Sequence, residues 1–239
     1  MGYDAQFRVW RGDADGGALQ DYSIPVNEGE VVLDIIHRLQ ATQTPDLAVR
    51  WNCKAGKCGS CSAEINGQPR LLCMTRMSTF TEDEVVTVTP LRAFPVIRDL
   101  VTDVSFNYAK AREIPSFTPP PGLGPGEYRM QQVDVERSQE FRKCIECFLC
   151  QNTCHVIRDH DDNKPAFSGP RSFIGMMALS VIFIPSGHTS VQHLVMLQSP
   201  RPNSSCAASR RSAVSSGCIS SSATRMKKRG PENAGLLSS

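Results

Sequence analysis

The sequence predicts an α+β fold, with a small sheet domain in residues 1–105 and a helical domain that begins in residues 134–171. Three observations lead to this division. Short strand-like runs surround one amphipathic segment in the first part. Five prolines, with three glycines among them, mark residues 106–133 as a linker without regular structure. Two groups of four cysteines lie one on each side of that linker.

Each element of the first domain follows from a local pattern. Residues 7–10 alternate as a strand and residues 22–26 form its hairpin partner, with Pro25 favouring an edge position. A helix is predicted over residues 28–43, where apolar side chains recur on one face; they are Val32, Ile35, Ile36 and Leu39. Further strands are predicted at residues 47–51, 62–65, 70–74 and 84–89, with a hairpin turn at Asn66–Gly67.

Charge is divided unevenly along the chain. The whole sequence has 26 basic and 24 acidic side chains, but residues 172–239 hold 7 basic side chains and the single acid Glu232. Because that segment is also rich in serine and its basic residues have no interleaved aromatics, we predict a disordered tail and no nucleic-acid partner. The N-terminal residues lack the apolar core of a secretory signal, and the longest apolar run, residues 173–184, is too short for a membrane span. We therefore expect a chain that stays in the cytoplasm and has no transmembrane helix of its own.

The first cysteine group has the spacing C-x4-C-x2-C-x11-C, which is that of plant-type 2Fe–2S ferredoxins. Its members are Cys53, Cys58, Cys61 and Cys73. Gly56 and Gly59 permit the positive φ angles that a loop needs to wrap around an inorganic cluster. A zinc site or a set of buried structural thiols is the alternative, although zinc ribbons prefer paired C-x2-C knuckles. A sheet with one packed helix and such a loop is the architecture of a β-grasp ferredoxin.

The second cysteine group has the spacing C-x2-C-x2-C-x3-C of bacterial 4Fe–4S ferredoxins. Its members are Cys144, Cys147, Cys150 and Cys154. In that run the first three thiolates hold one cluster and the fourth ligates another, so each cluster needs further ligands from elsewhere. The two remaining cysteines, Cys206 and Cys218, match neither half of such a motif.

Four stretches together resemble the iron–sulfur subunit of succinate dehydrogenase or fumarate reductase, of an actinobacterial type. They are residues 50–61, 71–75, 89–100 and 138–154. The resemblance implies a β-grasp 2Fe–2S domain followed by an α-helical ferredoxin domain that holds 4Fe–4S and 3Fe–4S clusters. It assigns the 2Fe–2S cluster to Cys53, Cys58, Cys61 and Cys73, three 4Fe–4S ligands to Cys144, Cys147 and Cys150, and one 3Fe–4S ligand to Cys154.

The same resemblance implies an electron relay, with no catalytic residue in this chain. Electrons would pass between an FAD-containing flavoprotein subunit and quinone at membrane-anchor subunits, and those partners would hold the chain at the cytoplasmic face of the plasma membrane. The alternatives are a free-standing 2Fe–2S carrier, a non-functional truncated homologue and, in another class, a zinc-binding interaction protein. No Ser–His–Asp, P-loop or dinucleotide-binding motif indicates a separate active site.

The sequence departs from the family pattern after residues 169–171. Family members continue there with a second cysteine run, whereas this chain turns into the serine- and arginine-rich segment 172–239. The resemblance therefore implies an incomplete helical domain, in which the 4Fe–4S cluster lacks one ligand and the 3Fe–4S cluster lacks two. A change of reading frame or a faulty gene model near residue 171 would produce such a break.

Overall fold

The computed structural model describes residues 2–114, 122–124, 126, 127, 129 and 131–183. Its strands are β1 (Tyr3–Asp13), β2 (Gly16–Val26), β3 (Ser62–Ile65), β4 (Gln68–Leu71), β5 (Val86–Thr89), β6 (Val96–Arg98) and β7 (Val101–Thr102). Its α-helices are α1 (Val32–Thr42), α2 (Ser105–Arg112), α3 (Gln132–Gln139), α4 (Leu149–Thr153), α5 (His155–Asp159) and α6 (Pro170–Phe183). Short 3-10 turns occur at Leu72–Met74, Met77–Thr79, Phe141–Lys143 and Asp161–Asn163.

The sheet has the mixed topology that the sequence predicts for a β-grasp domain. Strand β1 forms a long antiparallel hairpin with β2 and pairs in parallel with β5, while β3 joins β5 and β4 in antiparallel fashion. A parallel pair needs a crossover connection, and the chain between β1 and β5 supplies it with α1. Strands β6 and β7 extend the sheet at the end of β1.

Helix α1 covers one face of this sheet and forms the main core with it. The apolar face of the helix is fully buried, at Val32, Leu33, Ile35, Ile36 and Leu39. Phe7 and Val9 of β1 contribute to the same core from the sheet side. Burying side chains of this size stabilises each site by about 1.5–3 kcal/mol, so the periodicity of residues 28–43 identifies the main packing element correctly.

The hairpin turn predicted at Asn66–Gly67 is present between β3 and β4. Both residues have positive φ angles, 48° and 74°, as a type I′ turn requires. The Asn66 side chain accepts a hydrogen bond from the Thr87 N–H (2.7 Å) and donates one to Glu84 (2.7 Å). The turn is therefore tied to β5, and it sends β4 back toward the first cysteine loop.

Several elements have other bounds than the sequence predicts: α1 begins at Val32 rather than at residue 28, β1 and β2 are longer, and β5 begins at Val86 rather than at residue 84. Three further details differ in kind. Residues 47–51 are not a regular strand, because the Ala48 N–H binds the Asp99 carboxylate (2.8 Å) and the Ala48 carbonyl accepts from the Leu100 N–H (3.2 Å) in place of a strand ladder. Residues 70–74 divide into the end of β4 and a 3-10 turn. Helix α2 lies in the supposed linker, because the good helix formers of residues 109–112 precede the first proline of that segment.

The compositional break at residue 171 does not coincide with the end of a structural element. Helix α6 begins at Pro170, which suits the first position of a helix, and runs through the apolar stretch to Phe183. The disorder predicted for the rest of the 172–239 tail falls on residues that the structure does not describe. In the described part, no helix combines the length and apolar character needed to cross a membrane.

We expect Glu30→Gln to lower the free energy of unfolding by about 2 kcal/mol at neutral pH. The Glu30 carboxylate forms an ion pair with Arg38 of α1 and accepts the Asn27 N–H (2.8 Å). The hydrogen bond from Arg38 is the largest cause that lowers the pKa of Glu30, from 4.5 to about 2. A depressed carboxyl pKa stabilises the fold above the unfolded value and loses that effect as the pH falls through the folded value.

Urea unfolding at several pH values checks this expectation. The difference between the native chain and Glu30→Gln should shrink as the pH falls from about 4.5 toward 2, the range over which the pKa of Glu30 is displaced. The exposed neighbour Glu28, changed to glutamine, is the matched control. An equal loss in both variants would contradict the role given to the Arg38 pair.

Candidate metal centre

The first cysteine loop, residues 53–61, wraps through three positive φ angles. Lys54 (53°), Gly56 (63°) and Gly59 (70°) adopt the left-handed conformation, so both glycines occupy positions that require it. The N–H groups of Ala55 and Lys57 point at the Cys53 sulfur, at 3.4 and 3.3 Å. Backbone N–H groups directed at a sulfur stabilise a thiolate and help set the potential of a cluster bound to it.

The four thiols of the first group come together as two pairs. Cys53 lies close enough to Cys58, and Cys73 and Cys58 close enough to Cys61, to change the pKa of the neighbouring thiol. Cys61 and Cys73 are 4% and 5% exposed, whereas the other pair is partly open to solvent. Two pairs of thiolates suit a cluster that shares its ligands between two irons, and they fit the 2Fe–2S assignment better than a tetrahedral zinc ion.

The two halves of this group have different acid–base properties. Hydrogen bonds from the Ser60 hydroxyl and N–H lower the pKa of Cys58 to about 6. Burial raises the pKa of Cys61 to about 12. The thiolate is the form that binds metal, so Cys58 is ready to bind at neutral pH, whereas Cys61 gives up its proton when iron arrives.

The fourth thiol is delivered by the hairpin β3–β4. After the Asn66–Gly67 turn the chain returns along β4, and the Leu72 N–H donates to the Cys61 carbonyl (2.9 Å). This hydrogen bond fixes Cys73 beside Cys61. The eleven-residue separation of the two cysteines is therefore one short hairpin.

The second cysteine group occupies a loop that leads into α4. Glu146 and Phe148 take positive φ angles, 54° and 59°, on either side of Cys147. Although Cys150 is exposed overall, desolvation of its thiol and the proximity of Cys147 and Cys144 raise the pKa of Cys150. Cys154 lies between α4 and α5. The first three thiols are thus neighbours, as a run that gives three ligands to one cluster requires.

Among the described residues, no three Cys, His, Asp or Glu side chains converge as the ligands of one metal ion do. Cys206 and Cys218, to which the sequence gives no cluster, lie outside the described residues.

The two cysteine loops contact each other directly. The Ser62 hydroxyl, next to Cys61, lies 2.8 Å from the Cys147 carbonyl oxygen. The predicted domains 1–105 and 134–171 belong to one compact unit. Sequence reasoning missed Ser62 and two buried residues beside it, Glu64 and Asn152; the only signal was an acid inside a strand that follows a cluster ligand.

Comparisons with known proteins agree with this geometry. A family model described as "2Fe-2S iron-sulfur cluster binding domain" matches residues 6–108. The chain is 77% identical to a chain of the solved "Mycobacterium smegmatis Sdh1 complex in the apo form", with a TM-score of 0.74 and 76% of each chain covered. The chain belongs to the family of succinate dehydrogenase and fumarate reductase iron–sulfur subunits. The resemblance stated from the cysteine motifs is thereby confirmed, as is the fold class with an N-terminal 2Fe–2S domain and a helical part.

Curated members of the succinate dehydrogenase and fumarate reductase family match over part of their length. The fumarate reductase iron–sulfur subunit of Mycobacterium tuberculosis is 36% identical over 157 residues, which are 63% of this chain and 60% of that protein. That of Wolinella succinogenes is 31% identical over 163 residues, 64% of this chain and 67% of that protein. The chain therefore spans about three fifths to two thirds of the length of these relatives.

Proposed function

We propose that this chain is the electron-transfer iron–sulfur subunit of a succinate:quinone oxidoreductase. It relays electrons between an FAD-containing flavoprotein subunit and the quinone of membrane-anchor subunits, at the cytoplasmic face of the plasma membrane. The observation that supports the proposal is the direct contact between Ser62, next to the first cysteine loop, and Cys147 of the second cysteine run. Two adjoining redox sites, in a chain of this family, are the minimum that a relay needs.

The cysteines divide among the clusters as the spacing predicts. Cys53, Cys58, Cys61 and Cys73 hold the 2Fe–2S cluster, which supplies a one-electron carrier when bound. Two features of this chain would set the reduction potential of that cluster. They are the N–H groups of Ala55 and Lys57 directed at the Cys53 sulfur, and the burial of Cys61 and Cys73. In the second group, Cys144, Cys147 and Cys150 are assigned to a 4Fe–4S cluster and Cys154 to a 3Fe–4S cluster, both with incomplete ligand sets.

Measuring iron and acid-labile sulfide per chain, together with EPR, tests the proposal on the full chain produced anaerobically. About two irons and two sulfides with only a 2Fe–2S signal, the content that the first cysteine group accounts for by itself, would mean that the relay stops at its first cluster and would contradict the proposal. Roughly nine irons per chain, with 4Fe–4S and 3Fe–4S signals, would show instead that residues outside the described part complete both further clusters. A colourless protein with zinc in place of iron would contradict the redox role altogether.

A free-standing 2Fe–2S carrier is the second candidate function. It is favoured by the fact that the first site draws all four thiols from residues 53–73 and needs nothing from the second cysteine run. Co-purification from the native membrane distinguishes the two. A subunit of the complex remains bound to a large flavoprotein, whereas a free carrier elutes alone with its cluster intact.

A further inference from the structure

A buried carboxylate lies at the junction of the two cysteine-bearing parts. Glu64 of β3 is three residues after Cys61 and is 3% exposed. Arg92 donates to it from Nε (2.7 Å) and from Nη2 (2.7 Å), and the Asn152 amide donates to it at 2.6 Å. A buried charge persists only when it is paired and hydrogen-bonded, so these partners account for its presence.

The amide partner belongs to the second cysteine run. Asn152 of α4 lies between Cys150 and Cys154 and is 1% exposed. Its nitrogen donates to Glu64, while its oxygen accepts the Ala93 N–H at 2.9 Å. Both the nitrogen and the oxygen of this side chain therefore form hydrogen bonds with residues 64 and 93 of the first part of the chain, and not with other residues of α4.

A second contact lies on the same face of β3. Residues i and i+2 of a strand point to the same side, which places Ser62 beside Glu64. The Ser62 hydroxyl contacts the Cys147 carbonyl, and Gly59 packs against the backbone of the same cysteine. One strand thus holds the second cysteine run at two points, Cys147 and Asn152, on both sides of Cys150.

We propose that Glu64 is a positioning residue for electron transfer between the two sites. Through its hydrogen bond with Asn152 it holds the second cysteine run against the first cluster loop, and it thereby sets the gap that an electron crosses. This inference rests on the proposed function for its consequence, whereas the positioning itself belongs to this chain alone.

Glu64→Gln in the full, iron-loaded chain is the first test. Glutamine keeps the shape of the side chain but replaces one carboxylate oxygen, an acceptor, with an amide NH2 group, a donor. That group then faces the N–H donors of Arg92 and Asn152. Hydrogen–deuterium exchange should become at least about tenfold faster for the amides of residues 147–154, with the exchange of α1 unchanged. The exposed Glu82, changed to glutamine, is the matched control and should leave both regions as they are. Unchanged exchange in Glu64→Gln would overturn the proposal.

The double variant Glu64→Gln with Asn152→Asp separates positioning from general loss of stability. It exchanges donor and acceptor across the junction, since the glutamine amide can now donate to the new carboxylate. We expect it to recover most of the exchange protection that Glu64→Gln loses. Equal exchange in the single and double variants would assign the effect to the lost charge and would contradict a role through Asn152.

A distance measurement tests the gap itself. The reduced 2Fe–2S centre is one spin, and the other is a cluster in the second run or, where none assembles, a nitroxide on the exposed Cys150. Dipolar EPR should show a longer or broader distance in Glu64→Gln and the native distance in the double variant. An unchanged distance in Glu64→Gln overturns the inference. Absence of the 2Fe–2S signal in the native chain contradicts the proposed function, and the exchange experiment still decides the role of Glu64.

Discussion

Replacing Cys73 by alanine is expected to abolish the 2Fe–2S signal and the iron that accompanies it. Cys73 is buried and lies close to Cys61, so its loss leaves the buried half of the site with one thiol. Burial raises the pKa of Cys61 to about 12, so this thiol would give up its proton only to bound metal, and a single thiol would hold that metal less well than two. Because cluster binding contributes to folding free energy, the variant should also unfold at lower denaturant concentration.

Visible absorbance, EPR and iron analysis of Cys73→Ala measure this loss. Cys206→Ala is the matched control, since the sequence assigns no 2Fe–2S role to that cysteine, and it should retain the native signal. A Cys73→Ala protein that keeps a native 2Fe–2S spectrum would remove Cys73 from the ligand set. A loss of the same signal in Cys206→Ala would move the fourth ligand into the tail.

The conformation of the first cysteine loop could be predicted from sequence because its determinants are local. Three of its cysteines lie within nine residues, and the positive φ angles at Gly56 and Gly59 are needed by the loop whatever surrounds it. The two-residue turn Asn66–Gly67 reverses the chain and so brings Cys73 back toward the loop. Helix α1 could also be predicted from sequence, because its apolar periodicity reflects one face buried against one sheet.

The junction between the two parts could not be predicted in this way. Glu64 and Asn152 are separated by 88 residues, and neither has a spacing that indicates a partner. The same holds for residues 47–51, whose backbone is held by Asp99 from a distant part of the chain. Contacts of this kind are tertiary and override local propensity. The break at residue 171 is a property of composition, and α6 continues across it because its apolar residues still suit a helix.

Gly59→Ala is expected to be among the most destabilising single substitutions in the described part of the chain. Gly59 has a φ angle of 70°, a conformation that costs a residue with Cβ about 1 kcal/mol. A Cβ there would also lie 2.6 Å from the Ile145 carbonyl oxygen and 2.8 Å from the Cys147 Cα. These are backbone atoms that cannot rotate away, so the two cysteine loops must separate. Overpacking of this kind adds about 1–3 kcal/mol.

Thermal melting of the iron-loaded chain, followed by cluster absorbance, tests that expectation. Gly67→Ala is the matched control, because Gly67 has a similar φ angle of 74° and open space where its Cβ would lie. We expect Gly67→Ala to lower Tm by about 3 °C and Gly59→Ala to lower it by about 8 °C. Both variants have the backbone strain in common, so the difference between their Tm shifts measures the effect of the close contact between Gly59 and the second cysteine run. Equal shifts would show that the close approach of Gly59 to the backbone of Cys147 adds nothing to the cost of backbone strain, and would contradict the expectation.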